Sequence, residues 1–516
     1  MFFSFLKKHK KMRKKIDIVI IGSGIGGLVS GAILAKEGFK VTVLEKNRQV
    51  GGCLQIFVRE KHIFNSSVHY IGGLEKGQNL YRIFNYLGIM NNLTIEKLDV
   101  SASERIIFHG EEKEYLIAQG YPNFVKSLIN DFPDEEIAIK NYAAEMELIA
   151  KKFSIFEFNN TDIFEKSKYL TIDTKAYLDT LFKNEKLKSI IVGNNMVYAG
   201  IAGKTPLFVH ALVINSYIES AWIFAKGSSQ IAKLLTKVIT ENGGAVRRNV
   251  KVAKIVEKEG QIKFVKTDTG EIINGDYFFS NIHPLQTIEM VESTLIRNLY
   301  KNRIKTLENS VSVFCLNIIF KPNSFKYTNS NYCCFLTENV WDTMDYKKEE
   351  WPLSYSFFQT KSTKSPNFAE SATIMAYMKY DEVKKWENTH NVVNSPTERG
   401  EDYEMFKKQK ANKLIEIVSI KFPNLQDSIK SIYTSTPLTF KDYMGTDDGS
   451  IYGIVKDYKA PLQNMISSRT KINNLFLVGQ NLALHGVHGV AMSAVISCGN
   501  IVDTTSLINK IMDFEK

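Results

Sequence analysis

Ile16-Asp-Ile-Val-Ile-Ile-Gly-Ser-Gly-Ile-Gly-Gly27, closed by Val41-Thr-Val-Leu-Glu45, decides the fold of this chain. A run of β-branched residues ends in Gly22, a helix-forming segment follows from Gly26 to Glu37, and a second apolar run ends in an acid. That order predicts a strand, a Gly-rich turn, a helix and a strand. Gly22 permits the tight turn, Gly24 lets a pyrophosphate approach the backbone, and Gly27 lets helix and sheet pack closely. The free amides at the helix start face a diphosphate, and the helix dipole favours it. Glu45 stands where a carboxylate accepts hydrogen bonds from an adenosine ribose. The expected fold class is α/β, with a Rossmann-like dinucleotide-binding unit.

Working outward, further pieces of the same sheet recur far downstream. Gly243 to Ile255 reads as a strand after a turn, and Ile262–Val265 with Glu271–Ile273 as a hairpin across Thr267-Asp-Thr-Gly270. Tyr277 to Asn281 and Asn474 to Gly479 read as buried strands, the second followed by a small-residue helix from Val490 to Val502. Pieces of one sheet this far apart imply inserted segments. The expected division is a basic tail at 1–15, a discontinuous nucleotide domain at 16–80, 221–290 and 436–516, and an interleaved α+β substrate domain at 81–220 and 291–435. A chain of 516 residues exceeds one hydrophobic core, so two domains are the natural expectation.

Composition narrows the class. Hydrophobic residues at 44% and charged residues at 23% describe an ordinary globular protein. The net charge of +11 is spread along the chain and predicts no nucleic-acid patch. One dense basic cluster, Lys7 to Lys15, follows Phe2 to Leu6; it reads as a tail or as a weak peripheral membrane contact. Met12 is an alternative start to Met1. Five cysteines without a Cys-x-x-Cys predict neither a disulfide framework nor a metal site. No segment reaches the length of a membrane span, which points to a cytoplasmic protein, peripheral on the membrane at most.

At Glu45-Lys-Asn-Arg-Gln-Val-Gly-Gly-Cys53 the chain departs from a generic dinucleotide fold. An acid followed shortly by Gly-Gly is similar to the second FAD-contacting turn of the superfamily that holds amine oxidases, phytoene desaturases and GDP-dissociation inhibitors. Gly51-Gly-Cys53 and Phe64-Asn-Ser-Ser-Val-His-Tyr-Ile-Gly72 resemble the retinol saturases. Lys226-Gly-Ser-Ser, Thr436-Pro-Leu-Thr439, Gly449-Ser-Ile-Tyr-Gly453 and Leu477 to Val490 extend the resemblance over nearly the whole chain. Asn65 and Ser67 depart from the saturase Phe-Asp-x-Gly pattern, and Asn481 stands where those proteins carry Asp.

The resemblance implies a glutathione-reductase-type FAD-binding domain and non-covalent FAD, with NAD(P)H a candidate electron donor. It places Gly22, Ser23, Gly24 and Gly27 at the pyrophosphate, and Glu45, followed by Lys46, at the ribose. Gly51 and Gly52 pass near the flavin or diphosphate, and Val252 meets the adenine through its backbone. Gly479, Gln480, Asn481 and Val490 lie along the ribityl chain and isoalloxazine. His69, Tyr70, His485 and His488 are the candidate catalytic residues, with His485 and His488 flanking Gly486 just before the final helix. The expected activity is oxidoreduction at carbon–carbon double bonds of an apolar polyene, isoprenoid or lipid, with a saturase leading. A desaturase or isomerase is the alternative, because fold does not set direction. A non-catalytic carrier resembling the GDP-dissociation inhibitors is the reading from another class, and a nicotinamide-dependent dehydrogenase is disfavoured by the long insertions. Oligomeric state is not legible.

Overall fold

The computed structural model describes residues 16–157 and 163–514; the basic tail and the choice between Met1 and Met12 lie outside them. Asp17–Ile21 and Lys40–Leu44 are parallel neighbours, as their β-branched runs predict. Between them Ile25–Lys36 is a helix buried at every position from Gly26 to Ala35. It is enclosed because it packs on the sheet and also against helices Ser229–Glu241 and Gly486–Cys498.

The first sheet has five strands in the order Ala245–Arg247, Lys40–Leu44, Asp17–Ile21, Tyr277–Ser280 and Leu475–Leu477. Every neighbouring pair is parallel. Parallel strands need crossovers, and those from Leu44 to Ala245 and from Ser280 to Leu475 each carry about two hundred residues. Ile20, Leu28, Val43 and Phe279 are fully buried in the core beneath this sheet.

Two expectations are corrected. Gly243 to Ile255 is not one strand. Ala245–Arg247 joins the five-stranded sheet, whereas Val252–Lys258 pairs antiparallel with Gln261–Thr267 in a separate three-stranded sheet completed by Ile272–Asn274. Asn249, at φ 57°, turns the chain between them. The helix expected from Val490 to Val502 is Gly486–Cys498, and Thr504–Asp513 follows it, so it is not the last helix. His485 occupies its N-cap position without a side-chain capping bond, and His488 lies in its first turn.

A second large sheet has seven strands in the order Ile429–Ser435, Ser312–Phe320, Ala369–Met378, Ser354–Lys361, Asn331–Phe335, Glu104–Phe108 and Glu114–Ile117. All pairs are antiparallel except Asn331–Phe335 with Glu104–Phe108. Strand alternation sorts its two faces. Ile106, Phe108, Cys333 and Phe335 pack with helices Glu136–Phe153 and Leu207–Glu219, while Ile107, Tyr332, Cys334 and Phe357 pack with helix Glu401–Lys421. A small sheet of Tyr70–Gly72, Ala221–Phe224 and Ile95–Lys97 lies among the segments that lead from one large sheet to the other. The fold class is α/β with an interleaved α+β portion. Among the described residues no helix is long and apolar enough to cross a membrane.

Phe279 is fully buried between the first sheet and its helices. Phe279→Ala should cost about 3–5 kcal/mol and lower the melting temperature of the full chain. Ile272→Ala, at a position 55% exposed, should leave it in place.

Candidate functional site

The site starts at the first turn. Gly22 continues its strand with an amide that donates to the Leu44 carbonyl at 2.8 Å. Any Cβ on Gly27 would strike the Gly22 carbonyl, so glycine is what lets the helix start this close to the strand. A second glycine turn lies against the first. The Gly51 amide donates to the Ser23 carbonyl at 3.0 Å and contacts Ser23 Oγ at 3.2 Å. Gly51 and Gly52 have φ of 117° and 55°, left-handed values that favour glycine. A Cβ on Gly52 would lie 3.1 Å from the Gly24 Cα, so two bare backbones face each other there.

Glu45 ties the turns together. Its Oε2 accepts from the Ser23 amide at 3.0 Å and from Ser23 Oγ at 2.5 Å, and its Oε1 accepts from the Asn47 amide at 2.8 Å. The carboxylate is buried yet borders the main cavity. Lys46 Nζ donates to the Asp442 carbonyl at 3.1 Å; burial lowers its pKa and Glu45 opposes that.

The cavity measures about 600 Å³. It runs from Glu45 and Val252 past Gly22, Gly24 and Gly52 to Gln480, Asn481, Val490 and Tyr452. Nine of the thirteen expected cofactor residues line it: Gly22, Gly24, Glu45, Lys46, Gly52, Val252, Gln480, Asn481 and Val490. Ser23, Gly27, Gly51 and Gly479 do not. Ser23 is fully buried with its hydroxyl bonded to Glu45, and the three glycines shape the backbone behind the wall. Two facing glycine turns, a helix N-terminus and a carboxylate at the far end fit a flavin adenine dinucleotide. Cys53 also borders the cavity, and burial pushes its thiol up to about 11, which keeps it protonated. Among the described residues no group of three or more His, Cys, Asp or Glu side chains is placed to hold a metal ion.

Beside this cavity, and sharing Ser67, Val68, Tyr452, Gly486 and Val487 with it, is a chamber of about 110 Å³. His69, Tyr70, His485 and His488 all line it, so the fold brings together residues that sequence could only nominate one by one. The sheet supplies Ser356, Phe358 and Met375, and helix Leu207–Glu219 supplies Leu212 and Val213. The His69 ring lies flat on Phe358, with centroids 4.5 Å apart and planes 2° apart. His69 Nε2, His485 Nε2 and both ring nitrogens of His488 are buried with no hydrogen-bond partner among the described residues. Burial pulls His69 and His488 down to about 4 and His485 to about 3, the last helped by Lys456. Burial thus favours the neutral form of all three imidazoles. A third cavity of about 300 Å³ meets the chamber at His69 and Phe358 and carries Lys361, Thr363 and Glu96 on its wall.

Sequence reasoning missed two buried charges. Lys456 Nζ donates to the carbonyls of Asn464 at 2.9 Å, Asn481 at 3.0 Å and Leu482 at 3.3 Å, clamping the loop that borders the cavity. Burial lowers its pKa to about 7. It sits in a loop without periodicity, and no sequence signal marks it. Glu104, bonded to Tyr70 Oη, did carry a signal: alternation places it on the inward face with Ile106 and Phe108, where an acid is out of place.

A family described as NAD(P)-binding Rossmann-like domain matches residues 20–87. The all-trans-retinol 13,14-reductase of Rattus norvegicus is 25% identical, over 95% of this chain and 86% of its own length. Prolycopene isomerase 1, chloroplastic, of an Oncidium hybrid cultivar is 24% identical, over 94% of this chain and 83% of its own. Wild-type putrescine oxidase bound to putrescine has a similar fold, with a TM-score of 0.63 at 12% identity, covering 95% of this chain and 99% of that one. Fold and cradle thus define a dinucleotide-binding oxidoreductase. Over nearly its whole length the chain is similar to all-trans-retinol 13,14-reductases and prolycopene isomerases.

Glu45→Lys replaces an acceptor with a donor and strands the Ser23 and Asn47 amides. Each unpaired group costs about 1–3 kcal/mol, so the variant should purify without a flavin absorbance band. Lys456→Met strands three carbonyls at the same cost each; it should melt lower than the wild type and lose flavin faster on dilution.

Proposed function

We propose that this protein is an FAD-dependent oxidoreductase that adds hydrogen across a carbon–carbon double bond of an apolar unsaturated chain. The observation that carries this reading is the chamber: rich in apolar and aromatic side chains, joined to the flavin-type cavity, and holding His69, Tyr70, His485 and His488 at its wall. The curated relatives named for retinol reduction and prolycopene isomerisation support the same substrate class.

In this reading Gly22, Gly24 and Gly52 pass the diphosphate, Glu45 takes the ribose and Val252 borders the adenine. Gln480, Asn481 and Val490 follow the ribityl chain and ring system. FAD, held non-covalently, supplies two-electron transfer at its ring when bound. The protein supplies dryness and orientation. His69 and Phe358 close the chamber as a stacked pair, while the neutral His69, His485 and His488 offer fixed hydrogen-bonding nitrogens rather than charge. The portion at 81–220 and 291–435 serves as the substrate domain, with the outer cavity as the mouth. An apolar substrate resides in lipid, which favours shallow peripheral contact at the cytoplasmic face. NAD(P)H is the first electron donor to test.

The decisive assay is anaerobic. Flavin reduced with dithionite should regain its oxidised band when retinol, a carotene or linoleic acid is added. A reaction seen only with oxidised enzyme, bleaching its own flavin, would replace the saturase reading with the desaturase one. Product isomerised without net flavin change would replace it with the isomerase one. His69→Phe should retain flavin and slow reoxidation about tenfold, the loss of one hydrogen bond of roughly 1–1.5 kcal/mol.

A further inference from the structure

The buried acid that sequence reasoning passed over stands directly behind the chamber wall, hydrogen-bonded to Tyr70. Tyr70 lines the chamber, and its Oη meets Glu104 Oε1 in a short hydrogen bond. Glu104 is 1% exposed, and among the described residues its carboxyl meets the Tyr70 hydroxyl and the Asn194 side-chain amide. No cation pairs with it there; the titratable groups around it are Tyr70, Tyr217 and Cys333. A carboxyl in such a place has no structural partner to justify its charge.

We infer that Glu104 and Tyr70 form the proton relay of the site, delivering a proton from the inner face of the seven-stranded sheet to the substrate carbon in the chamber. This rests on the oxidoreductase reading, in which a hydride from the reduced flavin reaches the neighbouring carbon. With Glu104 protonated, its carboxyl donates to Tyr70 Oη and frees the phenolic hydrogen for the chamber. The Tyr70 O–H bond then breaks as the substrate C–H bond forms, and the Glu104 proton moves to Tyr70. The substrate gains one proton, Tyr70 is unchanged, and Glu104 is left as carboxylate. Burial holds the Tyr70 phenol well above its usual value, so it transfers only in step with Glu104 and does not persist as phenolate.

The relay also has a way back to solvent. Asn331 is the parallel partner of Glu104, so the two side chains share one face, and Asn331 lines the outer cavity. Its Nδ2 is buried without a partner among the described residues. Water reaching that cavity reprotonates Glu104 between turnovers. Burial pushes the Glu104 carboxyl up to about 7, partly offset by the Tyr70 hydroxyl and the Asn194 amide, which suits exchange near neutral pH.

Glu104→Gln and Tyr70→Phe keep shape and remove one proton each. In the flavin-loaded protein, reduced anaerobically and mixed with whichever of retinol, a carotene or linoleic acid the wild type consumes fastest, each variant should reoxidise about a hundredfold more slowly, and the double variant no more slowly than either. A second readout needs no turnover. A carboxyl whose folded pKa is raised stabilises the fold fully below its unfolded pKa, and that advantage is lost as pH rises through the folded value. The wild-type melting temperature should therefore fall relative to Glu104→Gln as pH climbs from about 4.5 through about 7. Either single variant reacting within threefold of an active wild type overturns the relay alone, as do multiplying losses in the double variant or a melting difference flat across that pH range. A wild type inert to all three chains overturns the oxidoreductase reading and the relay with it.

Discussion

Everything in this molecule hangs on how closely two backbone turns approach one another. The Gly22–Gly24 turn and the Gly51–Gly52 turn touch through bare backbone, and Ser23 with Glu45 locks them in register by hydrogen bonds. A single Cβ in that contact would separate helix from strand or one turn from the other. Because the contact holds, the helix N-terminus points into the cavity, and the wall contributed by residues 440–452 has a fixed partner to close against. The carboxylate of Glu45 therefore has two roles in one place, bracing the cradle and facing the cavity.

The two large sheets divide the work. The parallel sheet presents strand ends and glycine turns, which suit a diphosphate. The antiparallel sheet presents one alternating face of Ser356, Phe358, Asn331, Cys333 and Glu104 toward the chamber and its surroundings. Chain connectivity interleaves them, so a site is assembled from residues as distant as Glu45, Val252, Tyr452 and Val490. That separation in sequence makes the geometry depend on the packing of helices Ser229–Glu241 and Gly486–Cys498 against helix Ile25–Lys36.

What was legible in the sequence was what local backbone chemistry enforces. Positive φ and close approach demand glycine, and β-branched runs demand strands, so the cradle and the five-stranded sheet could be read residue by residue. The split of Gly243 to Ile255 could not, because hydrophobic alternation continues across Asn249 and does not announce which sheet each half joins. The helix at Gly486 was read as starting late because Gly486, His488 and Gly489 look like loop; its stability comes from burial between other helices. The chamber was half legible. Its histidines and Tyr70 stood out by type, but the burial that sets their chemistry comes from distant elements that supply Leu212, Val213 and Phe358.

The stacked His69 and Phe358 rings have a consequence for which bond reacts. The chamber behind them is far smaller than the outer cavity before them, at about 110 Å³ against about 300 Å³. In the proposed reading a long unsaturated chain fits only in part: its leading end passes the rings while the remainder stays in the mouth. The position of the reacting bond is then measured from whichever end stops, as on a ruler, with the ring pair as its zero mark. A site of this kind selects by counting carbons, and it accepts chains of different chemistry provided that an unsaturation falls at the same depth.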